Sequence, residues 1–185
     1  MFLFLQMRIV AGAFRGRQLK SPTWEGLRPT SDRLRETLFN ILGPSIRGAK
    51  VLDGYAGTGA IGIEAISRGA SEVTFVEKDP RAVKLIKANL ATLGATGVIM
   101  RAGLADAVTR LGGQVFDLII LDPPYADTAA AEALGAAHAV ASDATRVVLE
   151  HATRHAPPAE HAGLRLTRTV KAGDSALSFY EPLMI

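Results

Sequence analysis

Apolar positions along the chain alternate between two patterns. Short runs rich in Val, Ile, Leu and Phe occur at Lys50–Asp53, Glu72–Glu77, Val98–Arg101, Phe116–Leu121 and Arg146–Glu150. Between them, at 59–68, 80–93, roughly 104–111 and 128–141, the pattern is helical. The short runs predict strands buried on both faces, and the longer stretches predict the helices that cover them. The segment 80–93 is the best delimited, with Asp79 as cap, Pro80 in the first turn and Gly94 at the end. Another helix is expected over 31–42, with Ser31 as N-cap and Leu34, Leu38, Ile41 and Leu42 on one face. Arg33, Glu36 and Asn40 share a second face, and Gly43-Pro44 ends the helix. Leu164–Val170 and Ala176–Pro182, separated by Lys-Ala-Gly-Asp-Ser, predict an antiparallel hairpin. Residues 8–30 are apolar pairs broken by Gly, Pro and Arg, and predict an irregular arm or small hairpin.

Repeated strand–helix units of this kind imply an α/β fold, a mostly parallel buried sheet with helices on both faces. The 185 residues fit one domain. The expected division is an N-terminal extension and basic arm at 1–30 and a main domain at 31–185. Met1–Gln6 are hydrophobic, but they are too few to span a membrane and carry no basic n-region or cleavage site. They read as an extension ahead of Met7 in a cytoplasmic protein. The absence of cysteine excludes disulfides, thiolate nucleophiles and cysteine-ligated zinc. His151 and His155 have helical spacing but no evident third ligand, so no metal is expected and packing or surface roles are the default.

The net charge of +3 hides an uneven distribution. Residues 8–35 carry Arg8, Arg15, Arg17, Lys20, Arg28, Arg33 and Arg35 against Glu25 and Asp32 only. A cationic arm on a near-neutral body suits a polyanionic partner, although charge alone fits a solvated surface equally well. Trp24 within this arm is expected to anchor it to the domain.

The first strand runs into Asp53-Gly54-Tyr55-Ala56-Gly57-Thr58-Gly59, where a helix begins. Glycines there allow a sharp turn and close approach of a ligand, and the helix start offers unpaired N–H groups. Residues 57–62 fit Gly-x-Gly-x-x-Gly, and Glu77 follows Gly57 by twenty positions, where nucleotide-binding folds place the acid that holds ribose hydroxyls. A dinucleotide, S-adenosylmethionine (SAM) or a purely structural turn would each suit the loop. Asp53 tilts the balance to SAM, because a carboxylate there repels pyrophosphate but attracts the methionyl ammonium, directly or through water.

The fourth strand ends in Asp122-Pro123-Pro124-Tyr125. In open parallel sheets ligands bind beyond the carboxyl ends of strands where strand order reverses, so this turn should face the glycine loop. Its chemistry suits an aryl amine, a poor nucleophile because its lone pair is delocalised. The Asp122 carboxylate and the Pro123 carbonyl can each accept one N–H and aim the lone pair outward. The prolines stiffen the turn, and Tyr125 offers a flat face to a base, where stacking is typically worth ~1–3 kcal/mol. A Pro-rich turn with an N-capping Asp is the alternative.

With these motifs in place, the sequence resembles the bacterial 16S rRNA guanine-N2 methyltransferases over Met7 to Leu183. The resemblance rests on Met7–Ala11, Phe14–Arg17, Leu27–Asn40, Val51–Ala60, Val73–Lys78, Asp122–Tyr125, Val148–His151 and Ala176–Tyr180. It implies a Rossmann-like, seven-stranded SAM-dependent methyltransferase sheet whose last hairpin inserts one antiparallel strand. It places the methionyl part of SAM at Asp53, Gly54, Tyr55, Ala56, Gly57, Thr58 and Gly59, and the ribose at Glu77 beside Lys78. Asp122 would border the donor, with Asp122, Pro123, Pro124 and Tyr125 forming the catalytic turn. Arg15, Arg17, Arg28, Thr30, Arg33 and Arg35 would meet RNA. The implied partner is small-subunit rRNA or an assembling 30S particle, and a monomer is expected. Two positions depart from the family pattern: Gly54-Tyr55 replaces a bulky apolar residue and Phe, and Arg101-Ala102-Gly103-Leu104 stands where an acid near the adenine is expected, with Asp106 coming later. An adenine-N6 methyltransferase, an NAD-dependent oxidoreductase and a non-catalytic RNA-binding module remain the competing readings.

Overall fold

The computed structural model describes residues 7–27, 30–125 and 128–183. The arm opens as a hairpin, β1 (Met7–Arg8) and β2 (Gln18–Leu19), with Met7 opposite Leu19. The expected first helix is α1 (Asp32–Leu42), and the Ser31 side chain accepts from Leu34 N–H as its cap. Gly43 ends it at φ +53° and leads into a short 3-10 turn, Gly43–Ile46. The main domain then alternates as predicted: β3 (Lys50–Asp53), α2 (Ala60–Ser67), β4 (Glu72–Val76), α3 (Pro80–Leu93), β5 (Val98–Met100), α4 (Leu104–Leu111), β6 (Phe116–Leu121) and α5 (Ala129–His138). It closes with β7 (Ala141–Ala152), a two-residue β8 (Glu160–His161), β9 (Leu164–Ala172) and β10 (Ser175–Pro182).

The sheet order is β5-β4-β3-β6-β7-β10-β9-β8. Strands β3 to β7 pair in parallel, and β10 runs antiparallel between β7 and β9. The last hairpin therefore inserts one reversed strand, as expected, and β8 adds a short eighth strand at the edge. Side chains alternate across the sheet. Val51, Phe75, Ile120 and Val148 face one core with α1, α2, α3 and the arm, while Leu52, Ile119, Leu121 and Leu149 face a second core with α4 and α5. Helix α2 approaches β4 closely because Gly62 has no side chain. A Cβ there would lie 2.3 Å from the Phe75 ring.

Strand β7 begins at Ala141, five residues earlier than its apolar run suggests, and continues to Ala152. Its polar start, Ser142 and Asp143, hid it, and a register shift against β6 accommodates that stretch. Thr145 secures the junction by donating to the Phe116 carbonyl at 2.6 Å. Helix α5 stops at His138, three residues short of the expected end, because β7 already begins at Ala141.

The arm shares the core of the main domain. Met7, Ile9 and Leu19 are buried in the same cluster as Leu34, Leu38, Ile63 and Ile86. Among the described residues, no helix is long and apolar enough to cross a membrane.

Candidate active site

Four strand ends meet at the carboxyl edge of the sheet. Because β4 and β6 flank β3 on opposite sides, strand order reverses at β3, the place beyond which open parallel sheets bind their ligands. Asp53 ends β3, and Glu77 follows β4. Asp122 follows β6, and Glu150 lies near the end of β7.

The Asp53 carboxylate is buried, and it accepts the Gly62 N–H in the first turn of α2 at 3.0 Å. Burial pushes its pKa up to about 7; the Gly62 bond opposes the rise, and the negative charges of Asp122 and Glu77 add to it. Asp53 thereby holds the start of α2 under the loop. Gly57 (φ +54°) and Gly59 (φ +79°) give the loop its left-handed turns. A Cβ on Gly54 would come within 2.8 Å of Leu121 and 3.3 Å of the Ile120 carbonyl, so the backbone lies directly against β6. Ala56 and Thr58 are buried, Tyr55 is half-buried, and Lys78 is exposed.

Glu77 is likewise tied to the backbone. One carboxylate oxygen accepts Gly57 N–H and the other accepts Asp79 N–H, each at 2.8 Å. The residue thus clamps the glycine loop to the end of β4. An ionised carboxylate has about four acceptor positions, so hydroxyl groups of a ribose can still be accepted beside these two amides. The arm completes the wall. Leu27 would lie 3.3 Å from a Cβ placed on Gly57, and Trp24 packs under the Arg81 guanidinium at 5.1 Å, in keeping with the anchoring expected of it. Glycine cradle, buried carboxylate and ribose-type acid together fit a nucleoside carrying an ammonium group.

On the acceptor side, Pro123 is buried, and Pro124 and Tyr125 are exposed, Tyr125 at 48%. The turn therefore presents a flat ring at the mouth while Asp122 sits close enough to influence Asp53. Gly103 is exposed at the start of α4, and Asp106 is exposed in its first turn.

The expected RNA contacts separate. Arg15 and Arg33 are exposed, and Thr30 is half-buried. Arg17 is exposed as well, but it donates to the Thr92 carbonyl at 2.7 Å. Arg28 lies outside the described residues. Arg35 is a correction: its side chain is fully buried, donates to the Arg8 carbonyl at 2.9 Å, pairs with Asp32 and lies 3.6 Å from Glu64. Its charge serves the interior, not an RNA surface. The sequence reading also missed Glu64, Ser67 and Asn89, which dock the arm. Glu64 accepts Val10 and Ala11 N–H at 2.8 and 2.9 Å and Arg68 at 2.8 Å. Ser67 accepts Phe14 N–H at 3.0 Å, and Asn89 accepts Lys20 N–H at 2.7 Å. The available signal was an acid within the apolar run Ala60–Ser67.

His151 is buried; Nδ1 donates to the Ala152 carbonyl at 2.9 Å, and Nε2 lies 2.8 Å from Ser178 Oγ. Among the described residues, no group of three or more His, Asp or Glu side chains gathers as a metal site.

This sheet order, with its glycine loop and acceptor turn at the switch point, defines a Rossmann-like methyltransferase. The chain belongs to the family described as conserved hypothetical protein 95, which matches residues 7–181, and to the family of the ribosomal RNA small subunit methyltransferases D. It is 35% identical to the Escherichia coli K12 member over 178 residues, 95% of this chain and 90% of that one. It is 44% identical to the Haemophilus influenzae member over 124 residues, a match spanning 64% of that protein. Among solved structures, the putative methyltransferase yhhF from Escherichia coli superposes with a TM-score of 0.84 at 33% identity, covering 96% of this chain and 98% of that one. The Thermus thermophilus 16S rRNA N2 G1207 methyltransferase, solved with AdoMet and guanosine, superposes with a TM-score of 0.69 at 25% identity, covering 86% of this chain and 44% of that one.

Proposed function

We propose that this chain transfers a methyl group from SAM to the exocyclic N2 amine of a guanine in small-subunit ribosomal RNA. The observation that carries the proposal is the meeting of Asp53, Glu77 and Asp122 at the ends of three adjacent strands, with the Asp122-Pro123-Pro124-Tyr125 turn leaving the last of them. The likeness to ribosomal RNA small subunit methyltransferases D supports ribosomal RNA as the acceptor.

Asp53 and the 54–59 loop would hold the methionyl part of SAM, and Glu77 the ribose. When bound, SAM supplies an electrophilic methyl on a sulfonium. Asp122 and the Pro123 carbonyl accept the two N–H groups of the amine and turn its lone pair toward that methyl. Tyr125 covers the base. The amine nitrogen would gain positive charge during transfer, and the fixed Asp122 carboxylate would stabilise that charge without rearranging. The acidic proton of the product then passes to Asp122 or to water. In-line positioning supplies most of the remaining acceleration.

The test is nucleoside mass analysis of small-subunit RNA from cells with and without the gene. Loss of N2-methylguanine on deletion is the expected result. Loss of N6-methyladenine with N2-methylguanine intact would favour the adenine chemistry instead.

A further inference from the structure

Glu150 has a position that the transfer chemistry does not explain. Leu121 of β6 pairs with Leu149 of β7 in a parallel ladder, so the next residue on each, Asp122 and Glu150, are neighbours on adjacent strands. Such strands lie ~4.8 Å apart. Glu150 shares the face of Val148, two residues earlier, which belongs to the core beneath α1 and α2. Asp122 likewise follows Ile120 of that same core by two residues, so the alternation of the strand puts it on that side too. Glu150 is only 7% exposed. A carboxylate is seldom retained at such burial without a purpose in hydrogen bonding or catalysis.

Resting on the guanine reading above, we propose that Glu150 determines base specificity by accepting the N1–H of the target guanine. Guanine presents only donors, N1–H and the N2 amine, at the corner that meets the two carboxylates. Asp122 and the Pro123 carbonyl hold the amine, and Glu150 takes the neighbouring N1–H. Adenine would present the lone pair of its own N1 beside the N6 amine. A carboxylate facing that lone pair finds no donor, and both acceptors repel. About four acceptor positions on an ionised carboxylate allow Glu150 to bind the base while keeping protein partners. The same Asp-Pro-Pro-Tyr turn can therefore serve either base, and the adjacent strand selects between them.

2-Aminopurine separates the two contacts. It keeps the C2 amine but lacks the N1 hydrogen. Methyl transfer is measured with SAM and small-subunit RNA carrying guanine or 2-aminopurine at the target position, using the wild-type protein and Glu150→Gln. Each protein is checked for its melting transition and SAM binding. Wild type should methylate N2 of guanine and discriminate against 2-aminopurine by at least about 100-fold in kcat/KM, as sites built to bond a substrate N–H do. Glu150→Gln, whose amide both donates and accepts, should bring the ratio within about tenfold. Wild-type discrimination below tenfold would overturn the assignment whatever the variant does, and so would a folded Glu150→Gln that keeps the full ratio. The guanine reading fails separately, if wild-type product from the guanine RNA contains no N2-methylguanine.

Discussion

Asp53 ends β3 and Asp122 follows the neighbouring β6, and the two carboxylates differ in their surroundings. Asp122 is half-buried beyond the end of β6, where charge would develop in the proposed transfer. Replacing it with Ala should lower kcat by roughly 100- to 1,000-fold, the range for losing one fixed electrostatic contact. SAM affinity measured by calorimetry should change only a few-fold; turnover equal to wild type would contradict the role. Asp53 is buried, and its pKa is raised from 3.8 to about 7. In the unfolded chain it ionises near its ordinary value, so the native protein holds an extra proton between the two. Its contribution to stability is complete below about pH 4 and is lost as pH rises through about 7. An ammonium ligand favours the ionised form. SAM affinity should therefore climb with pH, by at most about tenfold per pH unit, and level off above 7. Asp53→Asn should flatten both slopes in melting and calorimetric series from pH 5 to 8, whereas an unchanged slope would remove Asp53 as their source.

At the scale of elements, alternation and punctuation carried most of the fold. Asp79, Pro80 and Gly94 delimit α3 as the sequence suggests, and the apolar runs locate β3 to β6 within a residue or two. The start of β7 was not legible, because exposed Ser142 and Asp143 lack an apolar signature and lie in the register shift between β6 and β7. The site motifs were legible because each lies contiguously at a strand end. The arm's docking was not, because it depends on long-range partners: Glu64 meets residues more than fifty positions away. Arg35 was misread for the same reason, since a charge in a basic arm looks exposed until its buried partners are known. This network gives a stability prediction. Glu64→Ala would leave the Val10 and Ala11 amides without their acceptor and the buried Arg35 without one of its two opposite charges, at a cost of about 3–5 kcal/mol. Urea denaturation checks it; a loss below about 1 kcal/mol would show that the network is not anchoring the arm.

Across the whole molecule, the arm links the glycine loop to exposed cationic side chains. It docks on α2 and α3, it bears the exposed Arg15 and Arg17, and it carries Leu27 to the glycine loop. RNA affinity should fall steeply with salt, and removing both Arg15 and Arg33 should reduce the slope of log affinity against log salt by about 1–2, given a contribution of ~0.7–0.9 per phosphate contact. An unchanged slope would place the RNA surface elsewhere. In the proposed reaction the Asp122–Tyr125 turn directs a methyl group from SAM to a guanine amine. This is tested most directly by incubating the purified protein with methyl-labelled SAM and unmethylated small subunits, then identifying the labelled nucleoside. Label recovered as N2-methylguanine, and lost with Asp122→Ala, is the predicted result; label in N6-methyladenine, or transfer that survives the substitution, would contradict it.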